Sequence, residues 1–284
     1  MKYRHSFHAG NFADVVKHLV LLQILDGLRR KPNPFYVLDT HAGRGVYDLA
    51  PPGSASRSEH QDGIDRLLGA TTDVPALLDY LALIRTLDTP DNRSTGLRRY
   101  PGSPLIIASR LRQGDRAAFF ELNPSEARAL QRALPEDRDV RVECADGYDA
   151  LRSQLPPAER RGLVFIDPPY ESQEAEFERA LQSLEQGRQH WATGIYALWY
   201  PIKRRAAIAQ FHARLKATGM RKILCAELGI YPADSRVGLN GCGMIIVNPP
   251  FELDLVLGTA LPALHAALDA RPGTRAECYW LVPE

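Results

Sequence analysis

From residue 117 onwards, short apolar runs alternate with longer stretches of helical periodicity, and this alternation most restricts the fold. It predicts strands at 117–121, 140–143, 162–166, 194–199, 221–228, 243–247 and 277–282. Helices are expected at 124–133, 148–154, 174–186, 204–216 and 253–268. Upstream, residues 35–38 form another apolar strand, and residues 11–30 carry Val15, Val16, Leu19, Leu22, Leu25 and Leu28 mostly at helical steps. The pattern implies an α/β fold with a mostly parallel sheet covered by helices on both faces. Segments 221–228 and 243–247 are joined by a loop, so they can pair antiparallel. Residues 46–99 break the rhythm. A Pro/Gly/Ser-rich piece precedes two helical stretches, at 61–68 and 74–87, and a polar, basic segment at 91–99 follows. We read 46–99 as an inserted helical subdomain and 1–45 with 100–284 as the main domain.

In a parallel sheet, ligands sit outside the carboxyl ends of the strands, where the strand order reverses. Four features fall at such ends. Asp39 leads into Thr40-His41-Ala42-Gly43-Arg44-Gly45, Glu121 ends the next strand, Asp146-Gly147 follows the third, and Asp167-Pro168-Pro169-Tyr170 follows the fourth. Gly43 and Gly45 let the backbone approach a ligand. Glu121 is placed to accept hydrogen bonds from ribose hydroxyls, and Asp146 from an adenine amine. The two prolines remove two donors and fix two φ angles, so the loop presents a carboxylate, carbonyls and an aromatic face. Those groups suit a planar ligand with an exocyclic amine. Taken alone, Asp-Pro-Pro could be an ordinary strand-terminating turn, and an acidic residue at a strand end is commonly a helix cap.

The glycine turn lacks Gly-x-Gly-x-x-Gly, which disfavours a nicotinamide dinucleotide, and there is no Gly-x-x-x-x-Gly-Lys-Ser/Thr for a P-loop. With 35 basic and 34 acidic residues, nucleic-acid binding would have to come from local patches. Candidates are Lys2, Arg4 and Lys17, then Arg93, Arg98 and Arg99, then Lys203, Arg204 and Arg205, each of which also reads as a solvated face. The four cysteines form no Cys-x-x-Cys pair. His5, His8, His18 and His41 are the histidines that a metal site would draw on, but His5 and His8 lack a matching Cys or carboxylate pair at ligand spacing, so no metal is expected. The amino-terminal residues lack a signal-peptide core and no apolar stretch is long enough to span a bilayer. Cytoplasmic location without membrane attachment is therefore expected. Asn248-Pro249-Pro250-Phe251 has the outline of the 167–170 loop but comes too late in the strand order, and we read it as a turn into the last helix.

Several blocks together carry a resemblance. They are Tyr3-Arg4-His5-Ser6-Phe7-His8-Ala9-Gly10-Asn11, Asp39-Thr40-His41-Ala42-Gly43, Tyr100-Pro101-Gly102-Ser103-Pro104, Ala145-Asp146-Gly147, Asp167-Pro168-Pro169-Tyr170 and Ala197-Leu198-Trp199-Tyr200-Pro201. Over nearly its whole length the chain resembles the bacterial 23S ribosomal RNA adenine-N6 methyltransferase J family. That family has the class I (Rossmann-like) methyltransferase fold and carries an inserted helical subdomain. The resemblance implies S-adenosylmethionine as cofactor, contacted by His18, His41, Ser103, Glu121, Asp146, Gly147 and Asp167. It also implies Asp167 as the catalytic residue, and Tyr3 as a contact to 23S ribosomal RNA. Pro168 and Tyr170 would hold the target base, and a monomer is expected. One departure is Phe12, where the family pattern often has His. Rival readings are a DNA adenine methyltransferase, a glutamine-amide methyltransferase (disfavoured because Asp167 is not Asn) and a non-catalytic RNA-binding module.

Overall fold

A computed structural model describes residues 8–49, 59–88, 96–137, 139–170, 173–233 and 235–284. The chain begins with α1 (Phe12–Arg29), whose first turn is capped by Asn11 Oδ1, which accepts from the Ala13 and Asp14 N–H groups. Nearly all of α1 is buried, so it behaves as a core helix. Then come β1 (Tyr36–Asp39), β2 (Val46–Asp48), α2 (Ile64–Gly69), α3 (Pro75–Leu87), β3 (Arg99–Pro101) and α4 (Ser103–Arg110). Strand and helix alternate through β4 (Arg116–Phe120), α5 (Pro124–Ala133), β5 (Val140–Glu143), α6 (Gly147–Ser153), β6 (Gly162–Ile166), α7 (Gln173–His190), β7 (Ile195–Ile202) and α8 (Arg205–Ala217). The last elements are β8 (Ile223–Gly229), β9 (Gly241–Val247), α9 (Leu253–Ala267) and β10 (Ala276–Val282).

Eight strands form one sheet in the order β10-β8-β9-β7-β6-β1-β4-β5. β5, β4, β1, β6 and β7 are parallel to one another. β9 runs antiparallel to both β7 and β8, and β10 antiparallel to β8. The expected mixed, mostly parallel sheet is thus present, with the last strands pairing antiparallel. Side chains alternate between the two faces, as the strand period requires. Val37, Phe119, Leu163 and Phe165 join α1, α4 and α9 in one core. Leu38, Ala118, Val164 and Ile166 join α6, α7 and α8 in the other. β6 is buried on both faces, which explains its uninterrupted apolar sequence.

Three departures from expectation have local causes. β7 continues through Pro201 to Ile202, beyond the expected end at 199. Beyond Leu198 only β9 flanks the strand, so a residue without an N–H is tolerated. β8 starts at Ile223, because Lys222 adopts a positive φ of 57°. The sequence reading also missed α4 and the two-stranded ribbon β2–β3 that closes residues 46–99. Among the described residues, the helices of that stretch do not build a separate core. Ile64, Leu67, Leu77, Tyr80 and Ile84 share the core of α1 and α9. Asn248-Pro249-Pro250-Phe251 leads into α9, as expected. Because β9 is antiparallel, this turn lies at the opposite edge from the 167–170 loop.

Candidate active site

The chain runs β1, β4, β5 outward in one direction, then returns to place β6 on the other side of β1. The crevice between the carboxyl ends of β1 and β6 is therefore the point where the strand order reverses. Asp39 ends β1 and Asp167 follows β6, so the two carboxylates flank this crevice. Glu121 and Asp146 follow β4 and β5 along the same edge.

Asp39 is fully buried. Its Oδ2 accepts from Ser103 Oγ at 2.6 Å and its Oδ1 from the His41 backbone N–H at 3.2 Å. Burial pushes the carboxyl up to about 7, against the pull of both bonds. Ser103 opens α4, so the return of the chain from residues 46–99 is fastened to β1 at this point. His41 Nδ1 lies 2.7 Å from Thr40 Oγ1, and its ring meets that of Tyr148 edge-on at 4.8 Å. Burial lowers His41 to about 4, so the imidazole is neutral at physiological pH.

Glu121 holds the glycine turn. Its Oε2 accepts from the Gly43 N–H at 2.9 Å and its Oε1 from the Asn123 N–H at 2.7 Å. Gly43 has φ +63°, and a Cβ there would run into the Tyr47 hydroxyl. Asp146 caps α6 by accepting from the Tyr148 N–H at 2.9 Å, while its other oxygen accepts from Arg179 at 2.6 Å. Partial burial works to raise Asp146, but these two donors outweigh it and hold the carboxyl below its usual range. Gly147 packs directly on Thr40, and a Cβ there would collide with the Thr40 carbonyl. The start of α6 is thereby seated on the end of β1.

Lys17 was expected at an RNA-binding surface. Instead it is only 4 % exposed. Its Nζ lies 2.5 Å from Asp167 Oδ2 and 2.8 Å from Asp14 Oδ1, and 5.9 Å from the centre of the Trp199 ring. Burial alone would lower the ammonium, but the charges and hydrogen bonds of Asp14 and Asp167 prevail and hold it well above its ordinary value. Asp14 is fixed in turn by the Gly10 N–H at 3.0 Å. Asp167 Oδ1 makes no hydrogen bond among the described residues. The sequence did carry a trace of this arrangement, since an Asp and a Lys three residues apart on a helix apolar all round must satisfy one another or a third group.

Pro168 is buried and Pro169 exposed. Tyr170, expected as an open aromatic face, is buried. Its hydroxyl donates to the Trp199 carbonyl at 2.7 Å, and its ring meets Phe177 and Trp199 at 5.2 and 5.6 Å. The loop is thus anchored to the end of β7. His18 is buried on α1, with Nδ1 3.0 Å from Tyr100 Oη. Tyr3, Lys2, Arg4, His5 and Arg93 lie outside the described residues.

Of the other basic candidates, Arg98, Arg99 and Arg204 are exposed and Lys203 partly so. Arg205 is exposed as well, but its guanidinium donates to the buried Glu227 at 2.5 Å, which counts against a free RNA-binding cation there. Glu227 belongs to a buried group in which His212, Cys225 and Glu227 surround the Tyr200 hydroxyl at 3.2, 3.1 and 2.7 Å. These three residues have the donor atoms for a metal. The tyrosine hydroxyl fills the space between them and Arg205 balances the charge, so the group reads as a clamp between β7, β8 and α8.

The acceptors suit S-adenosylmethionine. Glu121 and Asp146 present carboxylates along one edge, each oxygen keeping a second lone pair. The buried Tyr148 hydroxyl, beside His41, has no hydrogen-bond partner among the described residues. A polar ligand in the crevice would supply one.

A family model described as "Ribosomal RNA large subunit methyltransferase D, RlmJ" matches residues 32–282. The chain is 43% identical to ribosomal RNA large subunit methyltransferase J of Escherichia coli and 40% identical to that of Haemophilus influenzae, covering 100% of each chain. It is also similar to the crystal structure of a Legionella pneumophila protein, with a TM-score of 0.85 at 35% identity, covering 96% of this chain and 98% of the other.

Proposed function

The chain belongs to the RlmJ family of ribosomal RNA large subunit methyltransferases, and we propose that it methylates the exocyclic N6 amine of an adenine in 23S ribosomal RNA. The observation that carries this reading is the state of Asp167. One oxygen is held by Lys17, the other has no protein partner among the described residues, and the loop stands at the strand-order switch. S-adenosylmethionine, when bound, supplies the methyl group. His18, His41, Ser103, Glu121, Asp146, Gly147 and Asp167 form its site in this reading. Ser103 acts through Asp39, and Gly147 by admitting backbone to the crevice.

The exocyclic amine of adenine is a poor nucleophile because its lone pair is delocalised into the ring. Asp167 Oδ1 and the Pro168 carbonyl accept its two hydrogens and favour a pyramidal nitrogen with its lone pair turned out of the ring. Lys17 keeps the carboxylate in one orientation, so the acceptor is set before the base arrives. Tyr170 serves the base through a ring fixed by Phe177 and Trp199. The proton leaves to Asp167 or to water. A base within a duplex cannot reach this crevice, so the target adenine is unpaired or flipped out. Tyr3, the exposed Arg98, Arg99 and Arg204, and the partly exposed Lys203 hold the RNA. Among the described residues no helix is long and apolar enough to cross a membrane. A cytoplasmic monomer is part of the proposal, and light scattering of the purified protein checks the monomer.

The test is to incubate the protein with labelled S-adenosylmethionine and 23S ribosomal RNA lacking the modification, then digest and identify the labelled nucleoside. N6-methyladenosine is expected. Label at another position of the nucleoside, or only in DNA or protein, refutes the assignment.

A further inference from the structure

Three buried groups from separate parts of the chain are joined by hydrogen bonds. His18 Nδ1 lies 3.0 Å from Tyr100 Oη, which lies 2.7 Å from Tyr80 Oη. His18 is on α1, Tyr80 on α3 and Tyr100 on β3. Both tyrosines are fully buried, and burial pushes both hydroxyls upward, so each keeps its proton. Among the described residues the Tyr80 hydroxyl bonds only to Tyr100, and the Tyr100 hydroxyl only to Tyr80 and His18.

The count of protons fixes the direction of both bonds. Each hydroxyl has one proton to donate, and a buried donor left unpaired costs about 1–3 kcal/mol. If Nδ1 carried a proton it would donate to the Tyr100 oxygen, and one of the two hydroxyl protons would have no acceptor. An imidazolium fails for the same reason. One arrangement uses both protons: Tyr80 donates to Tyr100, Tyr100 donates to Nδ1, and the imidazole keeps its proton on Nε2. The His18 ring also stacks on that of Tyr100, with centroids 5.4 Å apart, which fixes its plane.

We infer that Tyr80 and Tyr100 are positioning residues that hold His18 as its Nε2–H tautomer and so present a hydrogen-bond donor to S-adenosylmethionine. The functional half of this inference rests on the proposed contact between His18 and the cofactor. It assigns a task to α3 and β3, whose Tyr80 and Tyr100 share the core of α1 and set the donor pattern of a ring that α1 carries. The strongest acceptor of the cofactor is its carboxylate, which an N–H edge suits and a bare ring nitrogen repels.

The tautomer is read directly by long-range proton–nitrogen correlation on the full chain labelled with ¹⁵N-histidine, without cofactor. His18 is assigned by loss of its signals in His18→Gln. The expected pattern is a protonated Nε2 with a bare Nδ1. A protonated Nδ1, or an imidazolium, overturns the inference. The double variant Tyr80→Phe/Tyr100→Phe removes both hydroxyls together, so no partner is orphaned. It is expected to release the ring to exchange between tautomers and to weaken S-adenosylmethionine binding about fivefold, the worth of one net hydrogen bond. An unchanged tautomer signature together with unchanged affinity in that variant overturns the relay. Unchanged affinity in His18→Ala instead overturns the cofactor contact of the proposed function, even where the wild-type tautomer is as expected.

Discussion

Replacing Lys17 by Met removes the ammonium that stands between the buried Asp14 and the partly buried Asp167. Asp14 and Asp167 lie 2.8 and 2.5 Å from the ammonium, and their side chains are 5 and 14 % exposed. Breaking a buried ion pair by deleting one partner costs about 3–5 kcal/mol, because the remaining charge stays desolvated. At about 2–4 °C per kcal/mol for a chain of this size, the melting temperature should fall by about 6–20 °C. The same change removes a charge-assisted bond from Asp167, the proposed acceptor of the amine. A bond of that kind is worth about 1.5–3 kcal/mol, so single-turnover methyl transfer should slow about 10- to 150-fold. Asp14→Asn is the control, since it leaves Lys17 on Asp167 and should retain most of the turnover while losing stability. The folded protein holds the Lys17 proton more tightly than the unfolded chain does. Its contribution to stability is therefore complete below pH 10.5 and is lost as pH rises through the higher native value, a loss that Lys17→Met should not show. The reasoning is refuted if Lys17→Met melts with the wild type and transfers methyl groups within about twofold of its rate, a margin well inside the value of one such bond.

Other outcomes follow from the same geometry. Asp167→Ala should abolish methyl transfer while RNA binding survives, as measured by filter binding, and near-normal turnover would sink the assignment. Asp39 and His41 should oppose one another in the pH dependence of stability. Asp39 has a native value raised from 3.8 to about 7, so its protonated form favours folding and that contribution is lost as pH rises across this window. His41 is lowered from 6.5 to about 4, so it penalises folding as pH falls through that range. Urea titrations of Asp39→Asn should therefore show stability rising with pH between 4 and 6.5, and those of His41→Gln should show it falling; parallel profiles would refute both assignments. Gly147→Ala should weaken cofactor binding and loosen α6, because its Cβ meets the Thr40 carbonyl, and wild-type affinity by calorimetry would contradict that close seat. RNA affinity should fall steeply with added salt, and removing Arg98, Arg99 or Arg204 should flatten the salt slope while leaving cofactor affinity unchanged.

Much of the architecture was legible because it is written in local pattern. Apolar runs of strand length alternate with helical periodicity, and acidic residues stand at the ends of successive strands. A parallel sheet then brings Asp39, Glu121, Asp146 and Asp167 to one edge without further information. The pattern was weakest where a neighbour overrides a residue's own tendency. Pro201 continues β7 because only one side of the strand is paired there, and Tyr170 turns its hydroxyl to Trp199 instead of offering an open face.

The fold class, the strand-end carboxylates and the Asp167-Pro168-Pro169-Tyr170 loop were determined by the sequence alone, since each depends on residues adjacent along the chain. Tertiary structure decided the rest. It paired Lys17 with a carboxylate 150 residues away, tied Arg205 to the buried Glu227, and merged the helices of residues 46–99 with the core of α1. It also joined His18 to two tyrosines that follow it by 62 and 82 positions. The physical reason is the same in each case. A charge or a hydroxyl taken out of water must find its partner wherever packing places one, and one-dimensional spacing carries no record of that choice.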